Sequence, residues 1–262
     1  MTSPSCFSTP VPLHGGPDAA GVPVFDFSTN SNACGPCPEA LHAVQSADAT
    51  HYPDPAYTAL REGLGAFHGV PPARIVLAAS ASEFIHRITA LAAQRGAVQV
   101  ALPLHSYGDY AQAAQARGLA LLRGGTIATA GLQWACEPSS PLGHADPVVR
   151  TWQDGSTVAA LRVLDCAYAP LRLDEEGAWT GSPSPHLPSA CWQLWTPNKA
   201  MALALGVRLT KPGVYQLHVQ GRAPTPRDVG WAQKFASKVA WTLSGIAVSA
   251  IFIVAIQGAW NA

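Results

Sequence analysis

From about Asp54 onward, short apolar runs alternate with segments whose apolar residues recur at helical spacing. Leu60, Leu64 and Phe67 form the first such segment, since residues three and four apart share one helix face. Strands are predicted at residues 74–78, 98–102, 119–122, 157–164 and 191–195, and helices at 39–45, 82–93 and 109–117. This alternation is expected of a mostly parallel sheet with crossover helices, so the sequence predicts an α/β fold. Residues 124–156 and 169–190 are rich in Gly, Pro and Ser and are predicted to be irregular.

Composition narrows the range of partners. The chain has 262 residues, enough for one large α/β domain with a real core. Charged residues make up 12% and the net charge is zero, so without a basic stripe a nucleic acid is not a predicted partner.

The first residues, Met1 to Cys6, lack the basic start and apolar core of a secretory signal, which predicts a cytoplasmic protein.

The six cysteines are scattered through the chain, which favours reduced thiols over a disulfide framework. Cys34 and Cys37 enclose a Gly-Pro pair, the spelling of a thioredoxin-type redox motif. However, a polar segment precedes them and Pro38 follows, so a turn into the helix at 39–45 is favoured over redox chemistry. The nine histidines show no metal-ligand spacing, and no metal site is predicted.

Two predicted strands are followed by residues that carry chemistry. Asp165 and Tyr168 follow one apolar strand, and Thr196 and Lys199 follow the next. Pyridoxal phosphate (PLP) requires an amine to capture its aldehyde and a carboxylate to keep its ring nitrogen protonated. Lys199 is therefore predicted as the Schiff-base lysine, Asp165 as the ring-nitrogen partner and Tyr168 as a donor to the ring hydroxyl. Taken singly, each also has an ordinary explanation: a loop cap, a solvated lysine and a core tyrosine.

Ser80 and Glu83 have capping-box spacing at the start of a predicted helix. The free amides of a helix N-terminus suit a phosphate group, although an ordinary capped helix has the same sequence pattern. In open parallel sheets, ligands bind at the carboxyl ends of the strands, where Ser80, Asp165 and Lys199 are all expected to lie.

In this order, the segments resemble the class I/II aminotransferase superfamily of PLP enzymes, nearest to histidinol-phosphate aminotransferase and the threonine-phosphate decarboxylase of cobalamin synthesis. The resemblance runs from about His14 to Arg208, some three quarters of the chain. The matched segments are residues 14–16, 25–36, 51–55, 79–85, 106–110, 165–168 and 196–199. It implies an N-terminal arm and turn over residues 1–50 and a PLP-binding large domain over 51–211.

The resemblance also implies roles for single residues. Tyr107 would stack on the cofactor ring, and Tyr52 would reach the cofactor phosphate of the neighbouring subunit, which implies a homodimer. The phosphate of the chain's own cofactor would be held by Ser80, Ala81, Ser82 and Thr196.

Two positions depart from the pattern of the superfamily. Ser140 replaces the asparagine that holds the ring hydroxyl, and its side chain is shorter. Arg208, matched to the phosphate-binding arginine, lies one residue farther from Lys199, a shift that rotates the side chain away. After Thr210 the match ends, and the small domain whose arginine grips the substrate carboxylate is expected to be missing, so the large domain is predicted to be truncated.

Residues 212–238 are predicted to be a linker, and residues 239–262 carry no charge. The core of this tail, residues 241–256, is apolar, and a helix of about 20 residues crosses a bilayer. The prediction is therefore an apolar C-terminal helix, with membrane contact through residues 239–262 and the basic side cytoplasmic. A buried helix or strand pair, or an unrelated tail beyond a broken reading frame, are the alternatives.

The sequence thus predicts a PLP-dependent aminotransferase, or an amino-acid-phosphate decarboxylase, that acts on an amino acid through Lys199. The alternative is a truncated, catalytically impaired remnant with a membrane-prone tail. A thioredoxin-like module on Cys34 and Cys37 is the least favoured hypothesis.

Overall fold

The computed structural model describes residues 21, 24–25, 32, 34–47, 50–124, 130–140, 142–152, 160–172, 191–202, 206–211, 214–218 and 253–256, the last three ranges by their backbone only. The chain divides into two compact units, Met1–Asn30 and Ser31–Ala262, and the described helices and strands lie in the second. The matched segments at residues 14–16 and 26–31 lie outside the described residues.

The order of elements follows the predicted alternation. The helices are α1 (Pro38–Gln45), α2 (Thr58–His68), α3 (Ala81–Gln94), α4 (Gly108–Gln115), α5 (Pro147–Trp152) and α6 (Asn198–Met201). The strands are β1 (Ile75–Ala78), β2 (Gln99–Leu102), β3 (Ala120–Arg123), β4 (Leu132–Cys136), β5 (Leu161–Asp165), β6 (Cys191–Trp195), β7 (Gly206–Lys211), β8 (Val214–His218) and β9 (Ile253–Ile256). Single 3₁₀ turns span Pro72–Arg74 and Ala169–Leu171.

Seven strands form one sheet in the order β1-β9-β6-β5-β4-β2-β3, and β7 pairs with β8 in a separate two-stranded sheet. Strands β2 to β6 run parallel to their neighbours among themselves, while β9 is antiparallel to both β1 and β6. The mostly parallel sheet predicted from the sequence is therefore confirmed. The carboxyl ends of β4, β5 and β6 lie side by side, because Cys136 pairs with Asp165 and Asp165 pairs with Leu194.

Side chains alternate between the two faces of the sheet, and each face has its own core. Trp134, Val163 and Leu194 face α3 and α4, whereas Leu164 and Trp195 face α2 and α5. All five side chains are at most 5% exposed. Each such side chain contributes roughly 1.5–3 kcal/mol by burial, so the sheet is fixed from both sides at the level of the strand ends.

Two elements lie where the sequence predicted irregular chain. Strand β4 lies inside the sheet between β5 and β2 with all five residues buried, and α5 contributes the buried Trp152. The prediction was wrong there because a strand buried on both faces shows no polar alternation, and the Gly- and Pro-rich flanks hid its short run. Gln133 is compatible with this position since its side-chain oxygen accepts a hydrogen bond from Trp152 Nε1 at 3.0 Å.

The C-terminal tail corrects a second prediction. Its described residues, Ile253–Ile256, form strand β9 and not part of an apolar helix. The β-branched run suits a strand, and the position between β1 and β6 gives its backbone a partner on both sides. None of the helices that the described residues form is long and apolar enough to cross a membrane. The rest of the predicted tail lies outside the described residues.

Candidate active site

Asp165 is the last residue of β5 and is 6% exposed. Its Oδ1 accepts a hydrogen bond from the backbone N–H of Ala167 at 2.8 Å, and its Oδ2 accepts one from the Tyr110 hydroxyl. Its backbone carbonyl accepts from the N–H of Glu137 at 3.0 Å, which ties the ends of β5 and β4 together. Both carboxylate oxygens are therefore held at the carboxyl edge of the sheet.

The Asp165 carboxylate is buried without a positively charged partner among the described residues. Burial raises the pKa of Asp165, and the hydrogen bonds from Tyr110 and Ala167 partly counteract that rise. No lysine, arginine or histidine among the described residues contributes to lowering this pKa. A buried carboxylate is normally paired, so this one suits a ligand that brings its own positively charged N–H group.

Tyr110 is a site residue that the sequence reasoning missed. It lies in α4, is fully buried, and stacks on Trp134 with ring centroids 4.3 Å apart and an interplanar angle of 11°. Tyr107, just before α4, meets its ring edge-on at 5.9 Å. The signal was present in the sequence, since residues three apart at the start of a helix lie on the same side of it.

Lys199 lies in the short helix α6, directly after the end of β6. Its side chain is half-buried, and burial lowers the pKa of its amine. A lowered pKa increases the neutral fraction of the amine, which is the form that attacks a carbonyl carbon. Thr196, in the turn between β6 and α6, is 8% exposed, and its Oγ1 accepts a hydrogen bond from the N–H of Asn198 at 3.4 Å.

The segment around Asn32 holds the backbone of α6, a contact that the sequence reasoning also missed. The Asn32 N–H donates to the Lys199 carbonyl at 2.9 Å, and its side-chain amide donates to the Ala200 carbonyl at 3.1 Å. The Cys37 N–H donates to the Met201 carbonyl at 2.8 Å. Three carbonyls at the end of α6 are thus satisfied from a segment about 165 residues away, which fixes the helix that carries Lys199.

The predicted phosphate turn has the predicted cap. Ser80 precedes α3, and its Oγ accepts a hydrogen bond from the N–H of Glu83 at 3.0 Å. The Glu83 carboxylate in turn accepts from the N–H of Ala79 at 2.6 Å. The capping interaction predicted for Ser80 and Glu83 is therefore confirmed. Ala81 and Ser82 form the first turn of α3 and are half-buried, while Ser80 is exposed.

Ser82 links this turn to the start of α4, which Tyr107 directly precedes and which contains Tyr110. Its hydroxyl donates to a carboxylate oxygen of Asp109, the second residue of α4. Tyr107 is 38% exposed, and burial of the rest of the ring, with Asp109 nearby, raises the pKa of its hydroxyl to about 12. Tyr107 consequently remains neutral at ordinary pH, with its ring in a T-shaped contact with Tyr110 and part of its surface exposed.

The other predicted residues lie in different settings. Tyr168 is half-buried and begins the 3₁₀ turn after β5, and Ser140 is half-buried in the loop after β4. Ser140 lines a cavity of about 460 Å³, whose lining includes neither Asp165 nor Lys199. Arg208 is in β7, outside the seven-stranded sheet, and only its backbone is described. Tyr52 is fully exposed.

These residues fit a PLP molecule in chemical character. Asp165 offers a buried carboxylate to a ring N–H, Lys199 offers an amine with a lowered pKa to an aldehyde, and Tyr107 offers a ring face. The donors of the α3 N-terminus and Thr196 offer partners for a phosphate. Strand pairing brings the segments of Asp165 and Lys199 to the same edge of the sheet, since β5 and β6 are parallel neighbours.

The second cysteine of the Cys34–Cys37 pair is buried at a turn. Cys37 is 3% exposed at the start of α1, and burial raises the pKa of its thiol. Its Sγ lies 3.4 Å from a carboxylate oxygen of Glu39, which also raises that pKa. Cys37 directly precedes α1 (Pro38–Gln45), so the predicted turn into a helix is present at this position. Within the described ranges, no group of three or more His, Cys, Asp or Glu residues is arranged to hold a metal ion.

No family model matches this sequence. Among curated proteins, the chain is 33% identical over 169 residues to the histidinol-phosphate aminotransferase of Rhodospirillum rubrum, which covers 57% of this chain and 46% of that protein. It is 31% identical over 176 residues to the histidinol-phosphate aminotransferase of Hyphomonas neptunium, which covers 60% of this chain and 47% of that protein. The chain therefore spans about half the length of the curated relatives it matches.

Solved structures share the fold. Histidinol-phosphate aminotransferase from Sinorhizobium meliloti, in complex with pyridoxal-5'-phosphate, aligns with a TM-score of 0.53 and 21% identity, over 82% of this chain and 62% of that one. L-Threonine-O-3-phosphate decarboxylase from Porphyromonas gingivalis aligns with a TM-score of 0.53 and 17% identity, over 84% of this chain and 74% of that one. The chain is therefore similar in sequence to histidinol-phosphate aminotransferases over about half of their length, and it shares the fold of these two solved structures.

Proposed function

We propose that this chain binds PLP through Lys199 and acts on an amino acid or an amino-acid phosphate as an aminotransferase or a decarboxylase. The proposal is carried by the buried carboxylate of Asp165, which has no cationic partner among the described residues. It lies at the end of β5, next to β6, which leads to the half-buried Lys199. The two enzyme classes are those of the relatives and the structural neighbours, which include a PLP complex.

Bound PLP would act as an electron sink for a carbanion formed at the substrate α-carbon. The chain's own residues would anchor the cofactor and move protons. Lys199 Nζ would capture the aldehyde with loss of water, and once the substrate amine has displaced it, the freed amine would accept a proton and return it. Asp165 would accept the hydrogen of the ring N–H and keep that nitrogen protonated.

Other side chains would orient the cofactor. Tyr107 would cover one face of the ring, and Tyr168 and Ser140 would donate to its hydroxyl group. The proposed phosphate partners are Ser80, Ala81, Ser82, Thr196 and Arg208. Of these, Arg208 lies one residue farther along the chain from Lys199 than the superfamily pattern has it. The hydroxyls of Ser80 and Thr196, the guanidinium of Arg208 and the free amides of α3 are the donors that a phosphate dianion requires, while the Ser82 hydroxyl donates to Asp109.

The test of this function is to add PLP to the purified protein and then to supply amino donors. We expect a visible absorbance band from lysine-bound PLP, and a change in that band when an amino acid or amino-acid phosphate is added. Formation of a 2-oxo acid identifies transamination, and release of carbon dioxide identifies decarboxylation. A protein that gives no band at any PLP concentration contradicts the proposal.

We further propose that the chain works as a homodimer in which Tyr52 serves the partner's site. Its side chain is fully exposed in the single chain, which leaves the phenol accessible to a second subunit. The prediction is that Tyr52→Phe weakens PLP binding while the dimer, measured by analytical ultracentrifugation, persists.

Subunit mixing tests the direction of this contact. Neither Tyr52→Phe nor Lys199→Ala alone should bind PLP normally, but a hybrid dimer has one site with both native residues. Random mixing in a two-fold dimer should restore about a quarter of all sites. The absence of any restored binding in confirmed hybrids would show that Tyr52 does not act across the dimer.

A further inference from the structure

We propose that Tyr110 is a positioning residue for the cofactor, whose hydroxyl holds the Asp165 carboxylate in the orientation that receives the ring N–H. This role rests on the proposed PLP-binding function. Tyr110 itself would not touch the reacting atoms, since it is fully buried behind the exposed part of Tyr107.

The position of the Tyr110 hydroxyl is fixed by its ring. Trp134 stacks on one face at 4.3 Å and Tyr107 meets the ring edge-on at 5.9 Å with an interplanar angle of 83°. Trp134 is itself 1% exposed and belongs to β4, an interior strand of the sheet. The hydroxyl that donates to Asp165 Oδ2 is therefore held by rigid neighbours on two sides.

The two hydrogen bonds to Asp165 also fix the plane of the carboxylate. Ala167 N–H binds Oδ1 and Tyr110 binds Oδ2, so each oxygen retains one further lone pair. A carboxylate held at only one oxygen could rotate about its Cβ–Cγ bond. With both oxygens held, the remaining lone pairs have fixed directions, which is what a hydrogen bond to a planar ring nitrogen requires.

The ionisable groups that face Asp165 leave Tyr110 as its main side-chain support. They are Cys136 at the end of β4, Cys166 directly after β5, and Tyr107. Burial raises the pKa of both thiols, so they are neutral at ordinary pH. Burial also keeps the pKa of Tyr110 well above its usual range, so its hydroxyl remains a donor.

The first experiment measures the pKa of Asp165 in the protein without cofactor, by carbon-detected NMR of the labelled side-chain carboxyl. Tyr110→Phe keeps the ring on Trp134 and removes only the donor. Loss of a hydrogen bond to a charged group should raise the pKa of Asp165 by about one to two pH units. Fluorinated tyrosine at position 110, a stronger donor, should lower it, and this arm remains informative if Tyr110→Phe folds poorly.

The matched control is Thr89→Val, which removes another fully buried hydroxyl, from helix α3. The Thr89 hydroxyl has no hydrogen-bond partner in the described part of the chain. We expect the pKa of Asp165 to be unchanged in this variant. An equal shift in Thr89→Val, or no shift in Tyr110→Phe, would overturn the proposal.

The second experiment uses the protein loaded with ¹⁵N-labelled PLP. Tyr110→Phe should move the ring-nitrogen chemical shift toward its unprotonated value and raise the PLP dissociation constant by about tenfold. Failure of the unmodified protein to bind PLP rejects the proposed function. Normal PLP binding with an unchanged nitrogen shift in Tyr110→Phe rejects only the role of Tyr110.

Discussion

Replacing Lys199 with alanine is expected to abolish the visible absorbance band that PLP gives with this protein. Alanine has no amine to capture the aldehyde, so any remaining PLP would be held by non-covalent contacts alone. The loss of the proton-transferring group would by itself lower turnover by about 10²- to 10⁴-fold. Visible spectroscopy of the purified variant across a PLP titration measures the first effect, and product formation measures the second.

The chain provides an unusually clear control for this prediction. It contains four lysines, and Lys199 is the first of them, followed by Lys211, Lys234 and Lys238. Lys211→Ala should leave the band intact. After borohydride reduction of the loaded protein, the modified peptide should contain Lys199 and none of the other three residues.

A second variant separates the role of the Lys199 amine as a nucleophile from the role of its positive charge. Lys199→Arg keeps a positive charge for the phosphate but cannot become a neutral amine in a protein. We expect it to lose the band as completely as Lys199→Ala does. A band that persists in either variant would rule out Lys199 as the covalent anchor.

Acidification is expected to weaken the fold through His68. The ring is 9% exposed at the end of α2, with its centroid 4.8 Å from Phe67 and 5.1 Å from Trp195. Its Nδ1 has no hydrogen-bond partner within the described ranges. Burial lowers the pKa of His68 from 6.5 to about 4.

The direction in which pH changes the unfolding free energy depends on whether the folded or the unfolded chain binds the proton. Between pH about 6.5 and 4, the unfolded chain protonates His68 while the folded chain keeps it neutral. The contribution of His68 is therefore complete above pH about 6.5 and is lost as the pH falls toward 4. At about 1.4 kcal/mol per pH unit, the full loss is about 3 kcal/mol of unfolding free energy.

Urea unfolding at a series of pH values measures this loss, and the comparison with His68→Leu isolates it from other titrating groups. The leucine variant should show a flatter dependence of unfolding free energy on pH between 6.5 and 4. His86→Gln is the matched control, since His86 is exposed in α3. An unchanged slope in His68→Leu would contradict the prediction. Because His68 packs on Trp195, at the end of the strand that leads to Lys199, the same acid range should also loosen the proposed PLP site.

The fold was predictable where one local signal dominated. The predicted strand at 191–195 and the Ser80 cap were correct because an apolar run and a capping pair depend on neighbours within a few residues. Strand β4 escaped prediction because its burial comes from β2, β5 and the two helical layers, all distant in sequence. Strand β9 was mistaken for a helix because apolar composition alone does not distinguish a span from a strand inserted between β1 and β6.

The sequence by itself determined the chemistry that this protein can offer: a carboxylate and a lysine after successive strands, a capped helix start, and an aromatic segment. These follow from residue types and short spacings, which local physics decides. Only the tertiary structure decided which groups support them. Asn32 on the end of α6, Trp134 behind Tyr110, and Tyr110 on Asp165 are contacts between segments far apart in the chain. Such contacts arise when the sheet brings strand ends together, and burial then alters the pKa values of Asp165 and Lys199.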